Sequence, residues 1–274
     1  MTKTTCMLWL AAGLILTAAT PSGAQTPPST PQTQTAEQTP PPASQPPPTR
    51  PPKSTTTAVP TKNFFVDING GYQAASRNVA TTSTPTIYDE QARIVTTQKV
   101  GGGALFDIAA GYRVWHDLAI SLGFTHAGSK SDAQVAASIP NPVFFDQPVT
   151  RTLTAPGLKH SENTINLDLV WSSPINDKMD AALSLGPSFI HVSQDVVTNV
   201  NVVSGTQDVS GPVTESQSKT AVGFNIGGDF TYLFQPRIGV GLMARYVYGK
   251  TDLTSVSGLT LGGFQIGGGV RLRF

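Results

Sequence analysis

Leu259-Thr-Leu-Gly-Gly-Phe-Gln-Ile-Gly-Gly-Gly-Val-Arg-Leu-Arg-Phe274, the last sixteen residues, carries the alternation that points to the fold. Counted back from the end, Phe274, Leu272, Val270, Ile266 and Phe264 fall on one face of a strand. Arg273, Arg271, Gly269, Gly267 and Gln265 fall on the other. A strand that ends the chain must pair with something already made, as the closing strand of a barrel does.

Working back from it, seven more segments show the same alternation. They run Asn63–Ala74, Ala104–Trp115, Leu118–His126, Asn163–Trp171, Met179–His191, Thr220–Phe234 and Ile238–Tyr248. Each is close to the ~9–11 residues a tilted strand needs to cross a bilayer. The connections alternate in length. Ala75–Gly103, Ala127–Glu162 and Val192–Lys219 read as long loops, and Gly249–Gly258 as an intermediate one. His116-Asp117, Pro174–Lys178 and Pro236-Arg237 read as short turns. Long loops on one side and short turns on the other fit an eight-stranded antiparallel transmembrane up-and-down β-barrel. The aromatic residues agree with this register. Phe64, Trp115, Trp171, Tyr232, Phe234 and Phe274 fall at the short-turn ends, and Tyr72, Phe124, Phe189, Tyr246, Tyr248 and Phe264 toward the other ends.

Alternation alone does not say which face is inside. The polar face is rich in glycine and poor in Lys and Glu, which suits a packed lumen better than a water-facing surface. Its charges balance: Asp67, Asp107, Asp168 and Asp229 against Arg113, Arg245, Arg271 and Arg273. Two pairs are expected, Asp67 with Arg271 and Asp229 with Arg245. The apolar face then meets lipid. Pro187 falls mid-strand on that face and removes a ladder donor, so a bulge is expected around Gly186-Pro187.

The chain is 274 residues long, with a formal charge of +1 and 13% charged residues. That balance offers nothing to neutralise a run of phosphates, so nucleic acid is not an expected partner. Residues 1–24 read as a signal peptide, with Lys3, the apolar run Cys6–Ala19 and a cut after Ala24. Residues 25–61 read as a disordered periplasmic tail, and residues 62–274 as the barrel domain. Twelve of the 22 prolines lie between Thr26 and Pro60, with almost no large apolar residue to repay folding. Once the leader is removed the chain has no cysteine, because Cys6 is the only one.

From Lys62 onward the chain resembles the small eight-stranded outer-membrane barrels of Gram-negative bacteria, of the OmpA, OmpX, OmpW and opacity-protein kind. The resemblance rests on the strand plan and on Val270-Arg-Leu-Arg-Phe274. There Val270, Leu272 and the terminal Phe274 look like the signal read by the barrel-assembly machinery. It implies an outer-membrane location and contact with outer-membrane lipids, including lipopolysaccharide. It also implies a structural or surface-interaction role through four external loops, toward a host or surface ligand. A narrow channel is the second expectation. Phe144 and Phe145, set among prolines in Ile139–Val149, are the candidate contact residues of the loops.

An enzymatic reading has one foothold. His191-Val-Ser193-Gln-Asp195 puts three polar residues on one face, similar to the His-x-Ser arrangement of lipid A deacylases, but the flanking residues do not match. His126 and His160-Ser161-Glu162 are weaker. No catalytic, cofactor or metal residue is therefore assigned, and no zinc spacing is present.

Overall fold

The computed structural model describes residues 63–274. The signal-peptide and tail readings lie outside these residues. Among the described residues ten strands form, in chain order β1 (Phe64–Ser83), β2 (Thr86–Ile87), β3 (Glu90–Gln91), β4 (Arg93–Trp115), β5 (Leu118–Ile139), β6 (Val149–Asn176), β7 (Met179–Val202), β8 (Val209–Gln235), β9 (Ile238–Thr251) and β10 (Leu259–Arg273). Eight of them close a barrel in the order β1-β10-β9-β8-β7-β6-β5-β4, and β2 and β3 form a small separate hairpin. All neighbours are antiparallel. The closing strand pairs with the first, from Phe65↔Arg273 to Ala74↔Phe264. Phe64 and Phe274 finish the seam with two backbone hydrogen bonds and rings 6.0 Å apart.

The lower half follows the alternation in the sequence. Phe106 (49% exposed), Leu167 (46%), Phe224 (49%) and Ile266 (54%) point away from the axis. With the other outward residues they form a continuous apolar girdle. Soluble monomers rarely expose an apolar patch of more than a few hundred Å², so this surface is built to meet lipid. Aromatic side chains are exposed at both edges, among them Trp115 and Trp171 below and Tyr72 and Phe189 above.

The connections read as long loops are mostly strand. β5 continues to Ile139 and β6 begins at Val149, where a loop over Ala127–Glu162 was expected. β1, β4, β7 and β8 extend likewise through Ala75–Gly103 and Val192–Lys219. The period of two continues through most of these stretches, interrupted by register shifts such as those at Gln73/Ser76, Gln98/Ala104 and Val197/Asn199, and its polarity inverts above the girdle. On β7 the outward residues change from Leu185 and Phe189 to His191, Ser193 and Asp195. The inward ones change from Ser184 and Ser188 to Ile190, Val192 and Val196. Above the lipid the outside is wet, so the apolar side chains turn in. Thirteen strand residues from Ala127 to Ile139 rise on the order of 30 Å at ~3.4 Å per residue and ~40° tilt.

This projecting part is two packed layers and not a cylinder. Pairing between β6 and β7 starts only at His160↔Gln194. Pairing of β8 with β9 stops at Gly223↔Gly249. The upper parts of β1, β4, β5 and β6 therefore form one sheet, and those of β7 and β8 a hairpin facing it. Between them lie Ile94, Val135, Ile139 and Leu158 from one side and Val197 and Val200 from the other. A second cluster beneath joins Val79, Ile190 and Val247 to Leu253 and Val256 of the β9–β10 loop.

No bulge forms at Gly186-Pro187. The β6–β7 register is the same on either side, at Asn166↔Ser188 and Leu169↔Leu185, and only the two pairs between are missing. Proline has no N–H to give Leu167, and Gly186 comes so close that a Cβ there would lie 1.9 Å from Leu167 O.

Leu122→Arg, in the middle of the girdle, is expected to lower the folding free energy in lipid vesicles by ~2–4 kcal/mol. Thr97→Arg, on the same outer surface above the girdle, should change it by less than about 0.5 kcal/mol. Urea titration of vesicle-folded protein measures both.

Candidate functional site

The lumen within the girdle is filled by one chain of polar contacts. Arg273 Nη1 donates to Asp67 Oδ1 (2.6 Å), and its guanidinium lies 5.2 Å from the Phe65 ring centre. Arg271, fully buried, donates to Asp229 through two nitrogens and to Asn69 Oδ1 at 2.6 Å. Asn69 donates to Asp107 Oδ1 (2.9 Å), and Arg245 Nη1 and Thr125 Oγ1 both donate to Asp107 Oδ2 (3.0 and 2.8 Å). Asn166, Ser188 and Asn225 carry the chain on to Asp168, which accepts from Asn225 Nδ2 at 2.7 Å. A cavity of ≈ 80 Å³ remains beside these groups, room for a few waters.

The eight charged residues singled out in the sequence all line this interior, with some partners exchanged. Asp67 lies 3.8 Å from Arg271 Nε, though Arg273 is its nearer partner. Arg245 reaches Asp107, not Asp229, and Asp229 is taken by Arg271. The expected Asp229–Arg245 pair fails because neighbouring strands do not decide which long side chain meets which carboxylate. Gly241 leaves the space the Arg271 guanidinium occupies: a Cβ there would lie 2.5 Å from Arg271 Nε. Arg113 donates to Ser172 Oγ at 3.1 Å and Asp168 is held by an amide, so neither forms an ion pair among the described residues.

A second polar layer closes the lumen just above the girdle. Glu162, almost fully buried, accepts from Arg77 (2.6 Å), Gln73 (2.9 Å) and the Gly262 N–H (3.0 Å), with His160 Nε2 at 3.0 Å. His160 contacts Gln194 Oε1 at 2.7 Å, and Gln194 donates to Gln98 at 3.0 Å. Burial alone would push the Glu162 carboxyl up. The His160 hydrogen bond, the Arg77 charge and the Gln73 amide outweigh it and bring it from 4.5 down to about 2. Most of this layer escapes the sequence reading because Arg77, Gln98, His160, Glu162 and Gln194 lie in stretches that read as loops, though Gln73 and Gly262 do not. The signal available was Arg77 and Glu162 at inward phases of continuing alternation.

The polar face His191-Ser193-Asp195 exists, but its members do not meet. His191 pairs with Thr220 Oγ1 (3.0 Å), Ser193 with Ser216 Oγ (3.0 Å), and Asp195 accepts from the Lys159 N–H (3.0 Å). His126 is bonded to Asn163 Oδ1 at 2.7 Å. Among the described residues no group of three His, Cys, Asp or Glu is arranged to hold a metal.

The tip between β5 and β6 presents Val143, Phe144 and Phe145 at 72%, 60% and 73% exposure. They do not pack on neighbouring loops. Asn141 Oδ1 accepts the N–H of Val143 (2.9 Å) and Phe144 (3.0 Å), an Asx turn that fixes the loop. Gln207 donates to Ile139 O and Gln147 O at the loop's two ends.

No family model matches the chain, and no curated protein does. Solved structures do. Neisserial surface protein A is matched at 16% identity over 77% of this chain and 97% of that one, with a TM-score of 0.44. The outer membrane protein OprG of Pseudomonas aeruginosa is matched at 10% identity over 77% and 96%, with a TM-score of 0.40. Ail, the attachment invasion locus protein of Yersinia pestis, was solved in complex with the heparin analogue sucrose octasulfate. It is matched at 13% identity over 77% and 99%, with a TM-score of 0.34.

Asp107→Leu leaves Arg245 buried without its partner and should cost about 3–5 kcal/mol of folding free energy, whereas Asp107→Leu with Arg245→Met should recover much of it. Urea unfolding of the two variants reads the difference. The Glu162 carboxyl is depressed in the folded state, so its contribution is complete above about 4.5. It is lost as the pH falls toward about 2. Unfolding midpoints should drop across that window in the native chain and drop less in Glu162→Gln.

Proposed function

We propose that the chain is an outer-membrane barrel of the OmpA, OmpX, OmpW and opacity-protein kind, whose work is surface interaction. Its lumen is closed, and its β-rich projection stands outside the cell. In this reading the leader is removed after Ala24, and residues 25–61 form a periplasmic tail. Val270, Leu272 and Phe274 present the assembly signal to the barrel-assembly machinery. The girdle sits among outer-membrane lipids, with lipopolysaccharide around its upper rim. Asp67, Asp107, Asp168, Asp229, Arg113, Arg245, Arg271 and Arg273 serve to fill the lumen and to hold it shut.

The observation that carries this reading is the contrast between the two ends of the upper barrel. Below, two hydrogen-bonded polar layers cross the lumen. Above, the tip holds Phe144 and Phe145 out into solvent on a fixed turn. Apolar side chains exposed to water are costly unless something covers them, which favours contact with a partner over transport. The second reading, a narrow channel for small solutes, has the cavity beside Asp107 in its favour.

In planar bilayers the protein should pass almost no current, and steady single-channel steps would replace the closed-lumen reading with the channel. On intact cells, external protease should cut within residues 140–148 and release no peptide from residues 25–61. Cleavage of the tail from outside would invert the orientation.

A further inference from the structure

The closing seam of the barrel opens above Ala74. β1 and β10 pair up to Ala74↔Phe264 and then part. β1 continues to Ser83 with β4 on one flank only, and β10 begins at Leu259 with β9 on one flank only. Between them lies a cleft of ≈ 520 Å³, with Ala74–Asn78 along one wall and Val256–Phe264 along the other. That size lies within the ~300–1,000 Å³ of ordinary ligand pockets.

What parts the strands is Gly262-Gly263. Their φ angles are +83° and +133°, and a Cβ on Gly263 would lie 2.4 Å from Ala74 O. The turned backbone sends the Gly262 N–H to Glu162 and its carbonyl to Gln73 and Arg77. Those groups are therefore spent inside the barrel. Over Ala75–Thr82 no backbone partner on the β10 flank of β1 exists among the described residues.

The free edges of β6 and β8 are guarded. On β6 the Lys159 N–H is capped by Asp195, and Arg151 bridges to Gln207 O. On β8 Pro212 cannot donate, Glu215 and Lys219 add charge, and Gln217 exchanges two hydrogen bonds with Ser255. β1 over Ala75–Thr82 has no proline, and its one charge, Arg77, is turned into the lumen. An unguarded edge is a template for another strand.

We propose that this cleft takes an extended peptide segment of an external partner protein, which adds to the free edge of β1 as an antiparallel strand where β10 has turned away. The proposal deepens the surface-interaction reading and rests on it for the side of the membrane the cleft faces. Side chains of an added strand alternate. Those pointing inward face the cleft wall at Val256 and Leu261, which calls for apolar residues at every second position. Those pointing outward meet Ser76 and Asn78, which calls for polar ones. Asn63, the first described residue, lies at the opposite end of the barrel. Two copies standing in one membrane have their β1 strands running the same way, so these edges cannot pair antiparallel.

The test uses the full chain in detergent micelles and a fluorescent peptide of about seven residues alternating valine and threonine, near the usual length of a strand. Saturable binding is expected, with slowed amide exchange confined to Ala75–Thr82 and Leu259–Gly263. Methylating alternate peptide nitrogens along one edge should weaken binding about tenfold or more, because it removes only backbone donors. Asn78→Lys, which puts a charge on the exposed outer face of the same edge, should weaken it too. Equal affinity for the methylated peptide overturns the proposal, as does protection elsewhere in the barrel. Protection of the same amides by lipopolysaccharide alone reassigns the cleft to a lipid headgroup. Protection that grows with protein concentration alone reassigns it to a second copy. Protease cutting on intact cells reads orientation separately, so failure of that reading and failure of this one are told apart.

Discussion

Hydrocarbon offers a backbone N–H or C=O nothing to bond with, so every strand inside the girdle must have a neighbour on both flanks. The rest of the structure follows from where that demand begins and ends. Within the girdle it forces a closed ring, and Phe65–Ala74 must find Phe264–Arg273 because no other edge remains. Above the girdle water can satisfy a free edge, and there the ring comes apart. β6 leaves β7, β8 leaves β9, and β1 leaves β10, each close to the level where the outward side chains stop being apolar.

The same boundary governs the side chains. Inside the girdle the apolar set points out, so the lumen receives the polar set in a space without bulk water. Each charge there must be met. Asp107 gathers donors from three strands, and Arg271 spends its guanidinium on Asp229 and Asn69. Such contacts need not add net stability against an apolar filling, but removing one member strands the other. Above the boundary the apolar set turns in, and the two layers of the projection hold one another as a soluble sandwich does. One strand thus belongs to two kinds of protein along its length, and β7 makes the change between Phe189 and Ile190.

That change explains what the sequence made legible. The girdle, the register of its strands, the closing strand and the inward charges could all be read, because lipid demands apolar residues at every second position and little else does. In the sequence the projection looks like loops because its apolar residues leave the lipid-facing phase. Val135, Ala137 and Ile139 alternate as strictly as Leu118, Ile120 and Leu122, but on the other phase and against smaller, polar neighbours. The ion pairs were legible as a set and not one by one. Register places Cα atoms, while an arginine reaches across a layer to whichever carboxylate the small residues leave open. Arg271 reaches past its register partner Asp67 to Asp229 because Gly241 stands where any side chain would block it.

The seam between the first and last strands is where these demands meet most sharply. A barrel closes by joining the two ends of its sheet, and that joint is the one place where no covalent turn fixes the register. Here the register is held from within. Asp67 is bound from the last strand by Arg273, and Asn69 by Arg271. At the upper end Gln73 is bonded to Gln265 and to the Gly262 carbonyl. A one-residue slip would carry each inward group to the lipid side. The glycine pair then ends the joint at the height where lipid ceases to require it, and Glu162 clasps the turned peptide from below. The closing strand is therefore anchored just beyond its last pair with β1, and β1 goes on with one flank unpaired.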